Sequence, residues 1–341
     1  MQEIRIGEIE GFEIGHAQSL EAATGCTVVL CGDGATAGVD VRGGAPGTRE
    51  TDLLDPSNLV EKVHAVVLAG GSAFGLEAAT GVTRYLEEHG RGFDVGVARV
   101  PIVCAAVLFD LTIGDPTVRP DAQMGYDACA AASAGECPQG TVGAGTGATV
   151  GKVLGPGRAM KGGLGWHAVE AGGLRVGALV AVNALGDIIE PTTGKVLAGL
   201  LDEERSTVLD TEQAMISTAS HADASEGTTG QESAPDAAMR GTSDVFSGNT
   251  TLGIVLTNAR LTKAQCRKLA SMAHDGLARA MRPAHSMVDG DTIFALGSGT
   301  VSADLSVVGL LAARAVERAV VSGIRHATSL DGVPSHSELL G

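Results

Sequence analysis

Ser247-Gly248-Asn249-Thr250-Thr251-Leu252-Gly253-Ile254-Val255-Leu256-Thr257-Asn258 is where the chain changes character. From Leu252 to Leu256 the run is apolar and rich in branched residues, which reads as a buried strand closing on polar Thr257 and Asn258. Upstream, residues 211–247, most markedly Thr211 to Asp244, are rich in Ser, Thr, Ala, Gly and acidic side chains and poor in large apolar ones. That is the composition of an exposed, flexible linker, and a linker inside a compact domain needs a reason. Gly-Asn ahead of a strand is, by itself, only a turn signal. A hydroxyl at the head of a buried strand with a tether behind it also has what self-cleavage requires. In that expectation Thr250 would attack the Asn249 carbonyl, the tether would let the old chain leave, and the freed α-amine would serve as base for its own hydroxyl.

Working outward, Thr27 to Leu30, Ala65 to Ala69 and Val176 to Val182 read as further buried strands, the last ending directly at Asn183. Between the first two lies Asp40-Val41-Arg42-Gly43-Gly44-Ala45-Pro46-Gly47-Thr48-Arg49-Glu50, too rich in Gly and Pro to be regular. After Gly75, the spacing of Leu76, Ala79, Val82 and Leu86 predicts a helix capped near Gly90. Thr262 to Met281 and Ala303 to Val321 show helical periodicity, so the C-terminal third reads strand, helix, strand, helix. No internal repeat is visible.

The bulk numbers narrow the function classes. With 341 residues and 44% hydrophobic content the chain can fill a large core, but aromatics are only 3% and glycines number 49, so that core is built from Ala, Val, Leu and Ile. A formal net charge of −16 argues against nucleic acid or anionic lipid as partner, since both require a basic patch. Met1-Gln2-Glu3-Ile4-Arg5-Ile6 lacks the features of a signal peptide and no apolar run reaches membrane-span length, so the expectation is a soluble, cytoplasmic protein. The six cysteines are dilute and without Cys-x-x-Cys spacing, which reads as free, buried thiols.

Glycine and histidine motifs yield little cofactor signal. Gly70-Gly71-Ser72-Ala73-Phe74-Gly75 follows a strand and opens a helix, as phosphate loops do, but no Lys-Ser/Thr follows. Tight strand-to-helix packing fits better, with Gly71, Ser72 and Phe74 as candidates to line a substrate cleft. The nine histidines show no metal spacing, and His285 reads as a turn residue or at most a supporting one. No metal or organic cofactor is expected.

Five short motifs carry a resemblance across nearly the whole chain: Gly38-Val39-Asp40-Val41-Arg42-Gly43-Gly44, Leu68-Ala69-Gly70-Gly71-Ser72-Ala73-Phe74-Gly75-Leu76-Glu77, Ala181-Val182-Asn183, Gly248-Asn249-Thr250-Thr251 and Met287-Val288-Asp289-Gly290-Asp291-Thr292. Together they resemble the self-processing aminopeptidases and amidases that include β-aminopeptidases, L-aminopeptidase/D-esterases and nylon-oligomer hydrolases. The Asn-Thr junction, the Asp-Gly-Asp-Thr segment and Lys152 are most similar to the nylon-oligomer branch. The aminopeptidase branch has Ser as nucleophile, Tyr in place of Lys152, and Ser and Glu in place of Asp289 and Asp291.

The resemblance implies an α/β, four-layer αββα sandwich with an N-terminal nucleophile site. It also implies a homo-oligomer, with a tetramer suspected, of processed α/β pairs: residues 1–249 as one portion and 250–341 as the other, forming one structural domain. The substrate would be a linear amide or oligoamide.

Residue by residue, it assigns the nucleophile to Thr250 and the cleavage to the Asn249–Thr250 bond. It places a cation beside the amine at Lys152, an oxyanion donor at Asn183, and a carboxylate pair orienting the amine and hydroxyl at Asp289 and Asp291. The plain alternatives are a strand-start Thr, a loop Lys, a turn Asn, and an Asp-Gly turn or partial calcium loop. At the level of function the alternatives are an aminopeptidase releasing L-, D- or β-amino acids, an acyltransferase similar to ornithine acetyltransferases, and an unprocessed binding protein.

Overall fold

The computed structural model describes residues 1–222 and 249–341; most of the expected linker, with Ser247 and Gly248, lies outside the described residues. The central feature is a ten-stranded sheet path. Its strands are β1 Gln2–Ile4, β2 Phe12–Ser19, β3 Thr24–Val41, β4 Thr48–Arg49, β5 Lys62–Ala69, β6 Val103–Val107, β7 Gly163–Ala171, β8 Leu174–Val182, β9 Leu252–Ala259 and β10 Thr292–Val301. The spatial order is β1-β7-β8-β9-β10-β3-β5-β6-β4, with β2 also paired to β3.

The path becomes two layers at β3. Its first half pairs with β2 and β5, the register shifts between Leu30 and Ala35, and its second half, Thr36 to Val41, pairs with β10. The apolar side chains then fall into three cores, as period-two alternation requires. In β9, Leu252, Ile254 and Leu256 face a core shared with Val66 and Leu68 of β5, so the two half-sheets stack on one another. Val255 of β9 faces the opposite way, toward helices α4 Lys263–Ala280 and α5 Leu305–His326. Ala65, Val67 and Ala69 of β5 face α1 Ala78–Glu88 and α2 Ala122–Ala130. Three cores between four layers, two of helices and two of strands, make an αββα sandwich.

Two strand–helix–strand units frame it: β5–α1–β6 and β9–α4–β10, each with its strands parallel. Local signals set the helix ends. Gly90, at φ 65°, closes α1 with the Arg91 amide on the Leu86 carbonyl. Thr262 and Gln265 form a capping box at the head of α4, and the Asp304 carboxylate caps α5. The expected tether does not start at Thr211. Helix α3, Thr211–Ala222, occupies that position, anchored where Thr211 donates its amide and hydroxyl to the buried Asp187 carboxylate. All six cysteines are free; five are buried and Cys137 is half-buried. Among the described residues no helix is long and apolar enough to cross a membrane.

Candidate active site

Register brings the candidate residues together. β8 runs antiparallel to β9 with Ala181 opposite Leu252, so continuing the pairing by two residues sets Asn183 against Thr250. β10 runs parallel to β9 with Leu252 beside Thr292, which sets Gly290 beside Thr250. β3 runs antiparallel to β10 with Val41 opposite Thr292, which brings Gly43 alongside Gly290. One edge of one half-sheet thus gathers four of the five motifs.

The contacts follow from that register. The Thr250 amide donates to the Asn183 carbonyl at 2.9 Å, and the Thr251 amide donates to Asp291 Oδ1 at 2.7 Å. Lys152 Nζ donates to the same Asn183 carbonyl at 3.3 Å and to Asn183 Oδ1 at 2.9 Å. Asn183 Oδ1 also accepts the Thr149 amide, while Nδ2 donates to the Phe109 carbonyl at 3.0 Å. Asp291 Oδ2 accepts both the amide and Nδ1 of His285, and Asp289 Oδ2 accepts the amide and hydroxyl of Ser286. Thr250, Lys152, Asn183, Asp289 and Asp291 are all 4% exposed or less. Among the described residues no hydrogen bond engages the Thr250 hydroxyl, and the buried Asn249 side-chain amide has no partner.

Burial dominates the electrostatics. It pushes Lys152 down to about 7, against the pull of Asp289, Asp110 and Asp291 and with a further push from Lys161. It pushes Asp289 up to about 6, reinforced by Asp291 and opposed by Ser286 and Lys152. A cation and a carboxylate that both titrate near neutrality are suited to shuttling or balancing protons.

Thr250 and Asn249 form part of a cleft of about 250 Å³, walled by Ala45–Gly47, Ser72 and Ala73, Val107–Phe109, and Val288. A larger groove of about 760 Å³ lies against α4 and α5 and contains none of these residues. Of the candidate catalytic residues Thr250 alone lines the small cleft, with Lys152, Asn183, Asp289 and Asp291 buried outside its lining. Of the three cleft candidates, Ser72 lines it. Gly71 sits behind, its amide on Asp110 Oδ1 at 2.6 Å, and Phe74 lies outside the lining, 59% exposed under the Arg119 guanidinium.

Three further residues shape this region, of which Ser286 did not stand out in the sequence and Gly290 stood only as part of a motif. His285 combines both roles weighed for it, a turn residue at φ 60° and a partner of Asp291. Ser286 lies three residues before Asp289, a spacing that side-chain-to-backbone motifs use. Gly290 leaves no room beside Thr250: a Cβ there would lie 2.6 Å from Thr250 Oγ1.

The site thus gathers a strand-start hydroxyl at a cleft, an asparagine across the sheet from it, a buried cation and two carboxylates, groups on which amide-bond hydrolysis draws. The peptidase family S58 pattern matches residues 5–338, and the chain belongs to that family. It is 41% identical, over 98% of its length and 97% of the relative's, to a protein of Mycobacterium tuberculosis (strain ATCC 25618 / H37Rv) described as an uncharacterized aminopeptidase. It is 32% identical to a 6-aminohexanoate-oligomer endohydrolase of Agromyces sp., over 85% of this chain and 73% of that one. Among solved structures, the L-aminopeptidase D-Ala-esterase/amidase of Ochrobactrum anthropi superposes with a TM-score of 0.69 at 18% identity, over 98% of this chain and 92% of that one. A Burkholderia sp. β-aminopeptidase gives 0.68 at 20%, over 99% and 90%.

Proposed function

We propose that this chain cuts itself between Asn249 and Thr250 and then hydrolyses linear amides or oligoamides through an acyl ester on Thr250. The observation that carries this reading is the state of Thr250. Its amide is held by the Asn183 carbonyl while, among the described residues, no hydrogen bond engages its hydroxyl at the edge of a cleft, with the Lys152 ammonium on the same carbonyl.

In processing, Thr250 Oγ1 attacks the Asn249 carbonyl carbon. The C–N bond breaks as the nitrogen takes up the hydroxyl proton, leaving an ester that water hydrolyses. In turnover the freed α-amine, with an ordinary pKa near 7.7–8.0, accepts the hydroxyl proton as Oγ1 attacks the substrate carbonyl and returns it to the departing amine. Water then releases the acyl group. Lys152 beside the amine disfavours its protonated form, Asn183 donates to the oxyanion, and Asp291, anchored by His285, fixes the Thr250–Thr251 backbone. Asp289 balances Lys152.

The oligoamide preference rests on the similarity to the 6-aminohexanoate-oligomer hydrolase together with Lys152, Asp289 and Asp291. An aminopeptidase reading is favoured by the 41% identical relatives. Free and N-acetylated 6-aminohexanoate oligomers separate the two, because an exopeptidase requires the free amine. The proposal extends to a homo-oligomer of processed pairs, measurable by light scattering.

The deciding experiment is a time course of the purified full-length chain on a denaturing gel with N-terminal sequencing of the smaller fragment. The sequence expected is Thr-Thr-Leu-Gly. A single intact band, or a different start, overturns the reading.

A further inference from the structure

Two buried ionisable groups close to the site have no part in the chemistry above. Lys161 is 0% exposed and Asp110 3% exposed. A buried charge is expensive unless it is paired and hydrogen-bonded, so its presence calls for an explanation.

Lys161 Nζ donates to three main-chain oxygens, Gly145 at 3.1 Å, Ala148 at 2.7 Å and Gly162 at 3.2 Å. The first two belong to the turn that delivers Thr149, whose amide holds Asn183 Oδ1, and then Lys152. Asp110 grips the other wall. Its Oδ1 accepts the Gly71 amide, its Oδ2 accepts the Thr24 hydroxyl at 2.7 Å, and it follows Phe109, whose carbonyl holds Asn183 Nδ2. Gly147 packs against Asp110 with room for no Cβ, which would lie 2.0 Å from the Ala23 carbonyl oxygen and 2.6 Å from Asp110 Cβ. The Asn183 amide is therefore clamped at its oxygen by the segment Lys161 gathers and at its nitrogen by the segment Asp110 gathers.

We propose that Lys161 and Asp110 are positioning residues of the hydrolytic site, holding the two segments that orient Asn183 and Lys152 and acting on Lys152 through their opposite charges. This rests on the reading of Lys152 and Asn183 as site residues. Four groups face Lys152: Asp289 and Asp291 ahead of β10, Asp110 after β6, and Lys161. Lys161, itself pushed down to about 7 by burial and so charged chiefly on the acid side of neutrality, lowers the proton affinity of Lys152, and Asp110 raises it. Removing each charge therefore moves Lys152 in opposite directions, which a merely structural role does not do.

The test uses the full chain, with Lys161→Met and Asp110→Asn. The Lys152 titration is followed by the pH dependence of its ¹³Cε signal, assigned by its loss in Lys152→Met. The expected result is a Lys152 midpoint higher than the parent's in Lys161→Met and lower in Asp110→Asn, each by roughly half a pH unit or more. With it should go a fall in amide kcat of about tenfold or more at little change in KM, as expected when orientation is lost but binding is not. Midpoints that stay put, or move the same way in both variants, overturn the proposal. Should Lys161→Met not fold, the direction in Asp110→Asn decides; if neither folds, the pair is structural and the proposal fails. The titration arm needs no cleavage, so a chain that never processes defeats the proposed function without mimicking either outcome here.

Discussion

Gly290→Ala is the substitution whose effect the geometry defines most sharply. The Gly290 backbone is outside the left-handed region, so an alanine there meets no conformational penalty and any effect comes from the methyl group itself. That methyl would lie 2.6 Å from Thr250 Oγ1, 2.8 Å from the Ala45 carbonyl oxygen and 3.2 Å from Pro46 Cα, where ordinary contact starts near 3.4 Å. The Ala45–Pro46 backbone is tied down by the Ala45 amide on the Asp289 carbonyl at 2.8 Å, so relieving its contact needs a small backbone shift, while the shorter contact falls on the Thr250 side chain, which yields more readily. It must retreat by about 0.8 Å or rotate to another staggered well, and either turns the hydroxyl off its line of attack. Misplacement of that size costs about 10²-fold in rate. The stability cost of one excess methyl is about 1–3 kcal/mol. The assay is the half-time of Asn249–Thr250 cleavage on a gel and amide turnover, with a thermal melt as the control for folding. Cleavage and turnover within threefold of the parent would refute the argument that Thr250 Oγ1 works from this position.

The remaining substitutions separate the roles of the other groups. Thr250→Ala should give a folded, uncut, inactive chain and Thr250→Ser should keep part of both activities, read by gel and amide assay; hydrolysis by the Ala variant at the parent rate would place the nucleophile elsewhere. Lys152→Met should lower turnover and move the acidic limb of the pH–rate profile of processed protein upward, since the Thr250 amine then keeps its proton to higher pH. The melting temperature of the same variant, compared with the parent's, should depend on pH. Burial holds Lys152 at about 7 in the folded chain against 10.5 when exposed, so the folded chain binds fewer protons between those values and loses stability as pH falls through them. The variant should accordingly compare best with the parent at or below pH 7 and lose ground to it between pH 7 and about pH 10, which melts at the two pH values check. Asn183→Ala should lower the maximal rate about 10²–10³-fold by removing an oxyanion donor, measured on pre-processed protein.

Much of this site was legible because it lies at strand ends whose apolar pattern is unmistakable. Once Val176 to Val182 and Leu252 to Leu256 are read as strands, their polar continuations Asn183 and Thr250 fall at strand boundaries, and antiparallel register then sets one against the other. What the sequence could not supply was the partner of each strand and the depth of each charge. β3 runs eighteen residues because its second half pairs with β10, a contact some 250 positions away, whereas local apolar content marked only Thr27 to Leu30. The helix at Thr211 was missed for a similar reason: its polar composition reads as a linker, and the buried Asp187 that anchors its first residue comes from a distant strand.

The two lysines show where local reading ends. Gly151-Lys152-Val153 and Met160-Lys161-Gly162 both look like charges in glycine-bordered turns, for which solvent exposure is the default. Both are instead fully enclosed, because the Thr149–Val150 and Met160–Lys161 strands pair with each other and fold the two ammonium groups inward. Glycine makes this close approach possible: a Cβ at Gly151 would lie 2.0 Å from the Gly199 carbonyl carbon, and one at Gly162 2.1 Å from the Val182 carbonyl oxygen. The glycines beside the lysines thus mark tight backbone packing around buried charge, and they carry that meaning only once the pairing is known. Burying these cations costs folding stability, and each is set against carboxylates, Lys152 against Asp289, Asp110 and Asp291 and Lys161 against Asp110, so opposite charges are held together behind the strand end where charge develops in the proposed reaction.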